Sequence, residues 1–165
     1  MKTREHLEEA FAGESQANRK YLAFSKKAGS EGFEMVSRLF AAVAEAETIH
    51  AHKHLQVMGG VQSTLENLKG ALEGETHEFT EMYPGFIADA EAEGEKTAKM
   101  SFHMANEAEK AHGGLFKKAV EAMETGKDYP AESFYLCPVC GYVEADHAPD
   151  KCPICNTPGK SFKQF

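Results

Sequence analysis

Two sets of residues in this chain have types and spacings that could hold metal. The first is Glu14, Glu47, Glu75 and Glu109, with His50 and His112 each three residues after a glutamate. A three-residue step on a helix keeps two side chains on one face, so each Glu-x-x-His unit presents a carboxylate and an imidazole together. The second is Cys137-Pro-Val-Cys140-Gly and Cys152-Pro-Ile-Cys155-Asn, two similar knuckles separated by 11 residues. Four thiolates close a tetrahedral shell around one metal ion.

The four glutamates occupy positions that otherwise hold Leu, Val and Phe on four apolar stripes. The first stripe runs Leu7, Phe11, Glu14, Asn18, Tyr21, Ser25, and stops near Gly29 and Gly32. The second runs Val36, Phe40, Val43, Glu47, His50, His54, Val57, between Phe33 and Met58. The third holds Leu68, Leu72, Glu75, Phe79, Met82 and Phe86, with Pro84 expected to kink or break it. The fourth starts after Gly94, carries Phe102, Glu109, His112, Phe116 and Met123, and ends around Gly126. These steps of three and four residues predict helices. Burying an unpaired carboxylate costs several kcal/mol. Four on the inner face of one bundle therefore require a counter-charge.

The two helix pairs repeat each other. Phe11-Ala-Gly-Glu14 matches Leu72-Glu-Gly-Glu75 at an offset of 61. One extra residue then intervenes, and Tyr21, Glu31-Gly32, Phe40, Glu47 and His50 match Tyr83, Glu93-Gly94, Phe102, Glu109 and His112 at an offset of 62. The pattern predicts a mainly α fold, a pseudo-symmetric four-helix bundle. A long link, Gly59 to about Ser63, joins the pairs by a single crossover in the ferritin-like manner. A glutamate from each of two helices plus Glu-x-x-His from the other two is the pattern of di-iron and di-manganese carboxylate bundles. Glu78 breaks the symmetry, since its counterpart at the 61 offset is Ala17. Five carboxylates against two divalent cations leave roughly −1, and oxidising both metals gives roughly +1, which an oxide or hydroxide bridge balances. Hard oxygen ligands with some imidazole suit iron or manganese better than copper.

Other candidates carry less. His54 shares the His50 stripe but repeats as Phe116, and so reads as a packing or ligand-supporting histidine. His6, His52, His77, His103 and His147, and the acidic stretch from Glu91 to Glu95, read as surface. Tyr21 and Tyr83 follow ligand glutamates by one or two turns, and a buried phenol needs an acceptor such as a ligand carboxylate.

The helical period ends after Lys127-Asp-Tyr-Pro130. This places a bundle over residues 1–130 and a small metal-stapled module over 131–165, too small to fold unaided. Gly141 and Asn156 follow the second cysteine of each knuckle, where a tight turn often needs positive φ. Such turns aim backbone N–H groups at sulfur. A zinc ribbon has the same spacing. Attachment to a redox-capable bundle favours iron.

Bulk properties exclude other classes. Hydrophobic residues make up 42% of the chain, the net charge is −8, and Lys and Arg are scattered, which argues against nucleic-acid and anionic-membrane surfaces. The tail holds three Lys against four acids from Ala131 onward, a poor match to a nucleic-acid-binding ribbon. No apolar run approaches the roughly 18 residues that span a bilayer, and the N-terminus has no signal-peptide pattern. All four cysteines lie in the last 29 residues, which reads as a metal site in a cytoplasmic protein rather than a disulfide framework.

On these residues the chain resembles the rubrerythrin family over nearly its whole length. The motifs are Ala12-Gly-Glu-Ser-Gln16, Glu47-x-x-His50, Gly74-Glu75 to Glu78 with Thr80-Glu-Met-Tyr-Pro84, Glu109-x-x-His112 and the rubredoxin-like tail. The resemblance implies that Glu14, Glu47, Glu75, Glu78 and Glu109 are iron ligands, with Glu47 and Glu109 bridging, and that His50 and His112 complete the site. It implies that one iron exchanges His50 for Glu78 on oxidation. It further implies reduction of hydrogen peroxide to water, with electrons passing singly through an Fe(Cys)4 tail from a reductase or rubredoxin fed by NAD(P)H, in a homodimer. Two alternatives keep the metals: a ferritin-like ferroxidase, oxidase or iron store, which has no need of the cysteine tail, and a non-enzymatic electron carrier.

Overall fold

The sequence repeat reappears as a repeat of structure. In the computed structural model, which describes residues 2–165, helices α1 (Lys2–Ser30) and α2 (Glu34–Val57) pack as one antiparallel hairpin. Helices α3 (Thr64–His77) and α4 (Tyr83–Ala92), joined through a π-helical segment Glu78–Met82, pack against α5 (Lys96–Glu124) as the second. Both hairpins turn on a glycine with positive φ, Gly32 at +84° and Gly94 at +77°, a conformation glycine reaches without a Cβ penalty. Each then brings the same three rings together. Tyr21, Phe24 and Phe40 lie 5.5–6.3 Å apart by ring centroid, and Tyr83, Phe86 and Phe102 lie 5.5–6.4 Å apart.

The π segment explains the change of offset. A single inserted residue in a helix is accommodated by a π bulge, which widens one turn and leaves the residues on either side helical. The offset changes between Glu75 and Tyr83, and the π turn occupies Glu78–Met82. Pro84, expected to kink or break a third helix, instead sits in the first turn of α4, where its missing N–H is tolerated. Glu78 opens this segment, where the first hairpin has Ala17 at the 61 offset.

The chain divides into two compact units, Met1–Gln62 and Ser63–Phe165. Helix α2 is closed by Gly59 at φ +70°, with the Gly60 N–H donating to the Leu55 carbonyl at 2.9 Å. Ser63 caps α3 and forms a reciprocal capping box with Glu66. The connection expected to be long therefore has only the residues from Gly60 to Ser63 between two capped helices.

The second unit continues into the tail. Strand β1 (Phe134–Leu136) lies between β2 (Val143–Ala145) and β3 (Lys163–Gln164), antiparallel to both, with Tyr135 opposite Glu144 and Gln164. Strand β2 touches α5. Among the described residues the side chains buried below 2% exposure that have the largest volumes are Cys137 and Cys152. The remaining buried apolar residues are almost all alanines, such as Ala44, Ala51 and Ala108, where helices cross closely.

Candidate metal centres

In the first unit α1 supplies Glu14, and α2 supplies Glu47 and His50. One ligand atom from each lies within 4.8 Å of the others. His50 Nδ1 is 3.3 Å from Glu47 Oε2 and 3.8 Å from Glu14 Oε1. The hydrogen bond between Glu14 and Glu47 raises the Glu14 carboxyl and lowers that of Glu47. Like charges at this distance do not both ionise freely.

In the second unit the same three ligands recur. Glu75 comes from α3, and Glu109 and His112 from α5, again within 4.8 Å. His112 Nδ1 lies 2.6 Å from Glu109 Oε2 and 3.8 Å from Glu75 Oε2. Burial pushes the Glu75 carboxyl up to about 7, with Glu109 adding to the shift. An apolar pocket of about 500 Å³, whose walls include Leu68, Leu115, Phe116 and Met123, borders Glu75 and His112. Glu78 is raised as well, by burial and then by Glu109, and it is near enough to feel His112.

The protonation pattern of His112 tests whether this set fits a cation. Its Nε2 lies 3.0 Å from the Gly141 carbonyl, which only accepts, so Nε2 carries the hydrogen. In neutral imidazole Nδ1 is then a lone pair, and it faces Glu109 Oε2 at 2.6 Å. Two acceptors held that close need a proton or a cation between them. Glu75 Oε2 is buried without a hydrogen-bond partner. An orphaned carboxylate oxygen beside an imidazole lone pair is the donor set of a metal site, and the residues fit iron.

The cysteine knuckles fit a single metal. Cys137 Sγ and Cys155 Sγ are 3.5 Å apart, Cys140 Sγ and Cys152 Sγ 3.4 Å, and all four lie within 4.8 Å. Gly141 and Asn156 have φ of +83° and +61°, the turn conformation expected of both positions. Burial pushes the Cys140 and Cys152 thiols up, while backbone N–H groups of Tyr142, Ile154 and Cys155 work the other way. Cys155 is opposed by burial too, but hydrogen bonds from Thr157 and its neighbouring thiols bring it down to about 6.

Each sequence-predicted ligand falls in one of these three clusters, apart from Glu78, which lies beside the second. The tyrosines do not hydrogen-bond the ligands. Tyr21 packs on Phe24 and Phe40. Tyr83 packs on Phe86 and Phe102, and burial, then Glu109, Glu78 and Glu75, raise its phenol. His54 is half-buried near Glu14, and the other five histidines are exposed. The contact between His112 and Gly141 had no signal in the sequence, because no periodicity relates a helix residue to a knuckle 29 positions on.

Comparison with known proteins decides the family. The model of the rubrerythrin family matches residues 5–120, and that of the rubrerythrin rubredoxin-like domain matches residues 135–163. The chain belongs to the rubrerythrin family. Rubrerythrin-2 of Clostridium acetobutylicum is 36% identical, covering 99% of this chain and 96% of its own length. Nigerythrin of Nitratidesulfovibrio vulgaris is 34% identical over 99% of this chain and 86% of its own. The structure of fully reduced, all-ferrous nigerythrin aligns with a TM-score of 0.59 at 34% identity, covering 99% of this chain and 86% of that one. The fold is accordingly a ferritin-like bundle with a rubredoxin-like module. The two carboxylate–histidine sets and the four cysteines are its candidate iron sites. No described helix is long and apolar enough to cross a membrane.

Proposed function

We propose that this protein is a non-haem di-iron peroxidase that reduces hydrogen peroxide to two waters. Electrons enter through an Fe(Cys)4 tail from a reductase or rubredoxin ultimately fed by NAD(P)H. Glu14, Glu47, His50, Glu75, Glu78, Glu109 and His112 hold the iron pair, and Cys137, Cys140, Cys152 and Cys155 hold the third iron. Bound ferrous iron supplies one electron per ion, and two electrons with two protons convert one peroxide into two waters.

The single observation that carries this reading is the double engagement of His112. Its Nδ1 faces Glu109 and Glu75, while its Nε2–H donates to the carbonyl of Gly141, the residue after Cys140. One imidazole therefore joins the carboxylate site to the thiolate knuckle. A ferroxidase or iron store has no use for that contact. An electron-fed reductase does.

Glu75 is a ligand in this reading, and its metal-free carboxyl, raised to about 7, gives up its proton when iron binds. Tyr83 stays protonated and offers a phenol beside the same carboxylates. Leu68, Leu115, Phe116 and Met123 give the pocket beside Glu75 and His112 a largely apolar wall.

The test is anaerobic stopped-flow on fully reduced, iron-loaded protein mixed with peroxide or with dioxygen, reading reoxidation of the iron–thiolate chromophore. Fast reoxidation by peroxide and slow reoxidation by dioxygen is the expected result. Faster reoxidation by dioxygen would make the protein an oxidase or ferroxidase, and absence of the chromophore would mean a zinc tail.

A further inference from the structure

The two hairpins repeat each other in sequence, but their helices do not meet in the same way. At the 61 offset Phe79 stands where the first hairpin has Asn18, and at the 62 offset Gly113 stands where it has Ala51. In the first hairpin the Asn18 amide bonds the Ala44 carbonyl of α2, and Ala51, two turns further along that face, is buried. In the second hairpin a phenyl ring replaces the amide and the methyl group is gone. A large side chain is set against a position on α5 that has none.

The fit is close. Gly113 is buried, and a Cβ there would stand 3.1 Å from Phe79 Cε1 and 3.9 Å from both Phe79 Cδ1 and Glu75 Cβ. Carbon atoms pack best at about 3.5–4.0 Å, so the ring occupies space that a methyl group would need. Gly114, the next residue, is exposed, and a Cβ there would have nothing within 4 Å. A glycine inside a helix costs stability. Packing gives a reason for that cost at Gly113 and none at Gly114.

Phe79 is the second residue of the π segment Glu78–Met82. The Tyr83 N–H bonds the Glu78 carbonyl five residues back, and the Thr80 hydroxyl donates to the Thr76 carbonyl at 2.6 Å. A π turn interrupts the α-helical ladder, so the direction of its side chains depends on what the turn packs against. Glu78 is the immediate neighbour of Phe79, and successive residues of one turn keep a fixed angle about its axis. A ring held against α5 therefore sets the bearing of the Glu78 carboxylate, which is near enough to feel Glu109 and His112. The first hairpin has neither device. Helix α1 runs unbroken past Asn18, and the residue in the place of Glu78 is Ala17.

We infer that Gly113 is a positioning residue for Glu78: by seating the Phe79 ring on α5, it holds the π turn in the rotation that presents this carboxylate to the second ligand set. The inference rests on Glu78 being an iron ligand, as proposed above. A methyl group at position 113 pushes the ring, and the turn with it, away from α5. It meets Glu75 only at ordinary contact distance, so Glu75, Glu109 and His112 keep their places.

The test compares Gly113→Ala with Gly114→Ala in full-length, iron-loaded protein. Both exchanges raise helix propensity, so both variants are expected to fold, as checked by circular dichroism and iron content. Two readouts follow Glu78. One is peroxide turnover. The other is the infrared difference spectrum between reduced and oxidised protein, in which the carboxylate bands lost in Glu78→Ala are those of Glu78. Gly113→Ala is expected to shift those bands and to slow turnover about tenfold, the scale of a disturbed ligand orientation, while Gly114→Ala changes neither. Adding Gly113→Ala to Glu78→Ala should cause no further loss. Gly113→Ala combined with Phe79→Leu should recover both readouts, because leucine has no Cε atom to meet the new methyl and the pair keeps its combined volume. If Gly113→Ala matches Gly114→Ala, or slows Glu78→Ala by the same factor, the positioning role is overturned. If Glu78→Ala itself loses no band and keeps its turnover, the ligand reading of Glu78 fails and takes the inference with it, a result told apart by needing no glycine variant.

Discussion

His112 Nε2 donates to the carbonyl of Gly141 at 3.0 Å, and the same ring turns Nδ1 towards Glu109 at 2.6 Å. His50, its repeat partner, has the equivalent Nδ1 relation to Glu47 but no knuckle beyond it. The two histidines therefore separate ligation from electron entry. His112→Ala and His50→Ala each remove one imidazole. Only the first also cuts the contact to the thiolate module. The expected outcome is reoxidation of the iron–thiolate chromophore by peroxide roughly 10–100-fold slower in His112→Ala than in His50→Ala, with matched iron contents. Equal rates would mean that the hydrogen bond does not carry electrons.

Glu78 opens the π segment, and its counterpart in the first hairpin, at the 61 offset, is Ala17, which offers no carboxylate. Its carboxyl is raised by burial and by Glu109, so it lies close enough to the second cluster to serve it without belonging to its tight core. Glu78→Ala is expected to keep both iron centres, as judged by metal analysis and the thiolate spectrum. Peroxide turnover should fall by about two orders of magnitude, the scale of a lost acid–base or ligand-exchange group. Unchanged turnover would remove Glu78 from the mechanism.

The apo protein should respond to pH through Glu75. Its folded-state carboxyl is raised to about 7, above the ordinary value near 4.5. A raised group stabilises the fold at low pH and loses that contribution as pH rises through the folded value. Iron-free wild-type protein should therefore lose thermal stability between about pH 5 and pH 8, and Glu75→Gln should flatten that slope. The check is a series of melting curves for the two proteins in chelated buffer. A parallel pH dependence in both would assign the slope to other groups.

How far the sequence anticipates the structure depends on the range of the interaction. The helices, the repeat and the six paired ligands follow from steps of three and four residues, and Gly141 and Asn156 from the demands of a tight turn. The offset change from 61 to 62 marks the inserted residue, but whether it appears as a kink at Pro84 or as a π turn depends on the packing of α4 against α5. The link was visible as residues 59–63, yet its true reach emerges only once the Gly59 and Ser63 caps fix both helix ends. The His112–Gly141 contact is tertiary, and local pattern carries no trace of it.

Asn18 is one of two buried polar side chains among the described residues, and it pins the first hairpin. Its amide donates to the Ala44 carbonyl at 2.7 Å and to Thr48 Oγ1 at 2.8 Å, across from α1 to α2. Ala44 is fully buried, so no water replaces the amide when it is removed, and its carbonyl keeps only the longer bond from the Thr48 hydroxyl, 3.2 Å, among side-chain donors. Asn18→Ala should cost about 1–3 kcal/mol of stability, measured by denaturant unfolding of the iron-loaded protein. A cost well below this range would show that the hairpin relaxes to satisfy the carbonyl.

The tail makes the sharpest metal prediction. Its strands have three, three and two residues, and its most deeply buried side chains are Cys137 and Cys152 at 1% exposure. The thiolate cluster is therefore the core of this module, and the binding free energy of its metal is its folding free energy. Without metal, burial holds the Cys140 and Cys152 thiols protonated. Sulfurs that contact only one another and the knuckle turns cannot replace the metal–sulfur bonds. Chelation at neutral pH should abolish amide protection across β1 and β2, including the Cys137 N–H bonded to Tyr142 at 2.8 Å. The helical circular dichroism signal should hardly change, because α1–α5 do not depend on the knuckles. Hydrogen exchange before and after chelation decides the point. Retained protection in the metal-free tail would show that Tyr129, Phe134 and their neighbours form a core of their own.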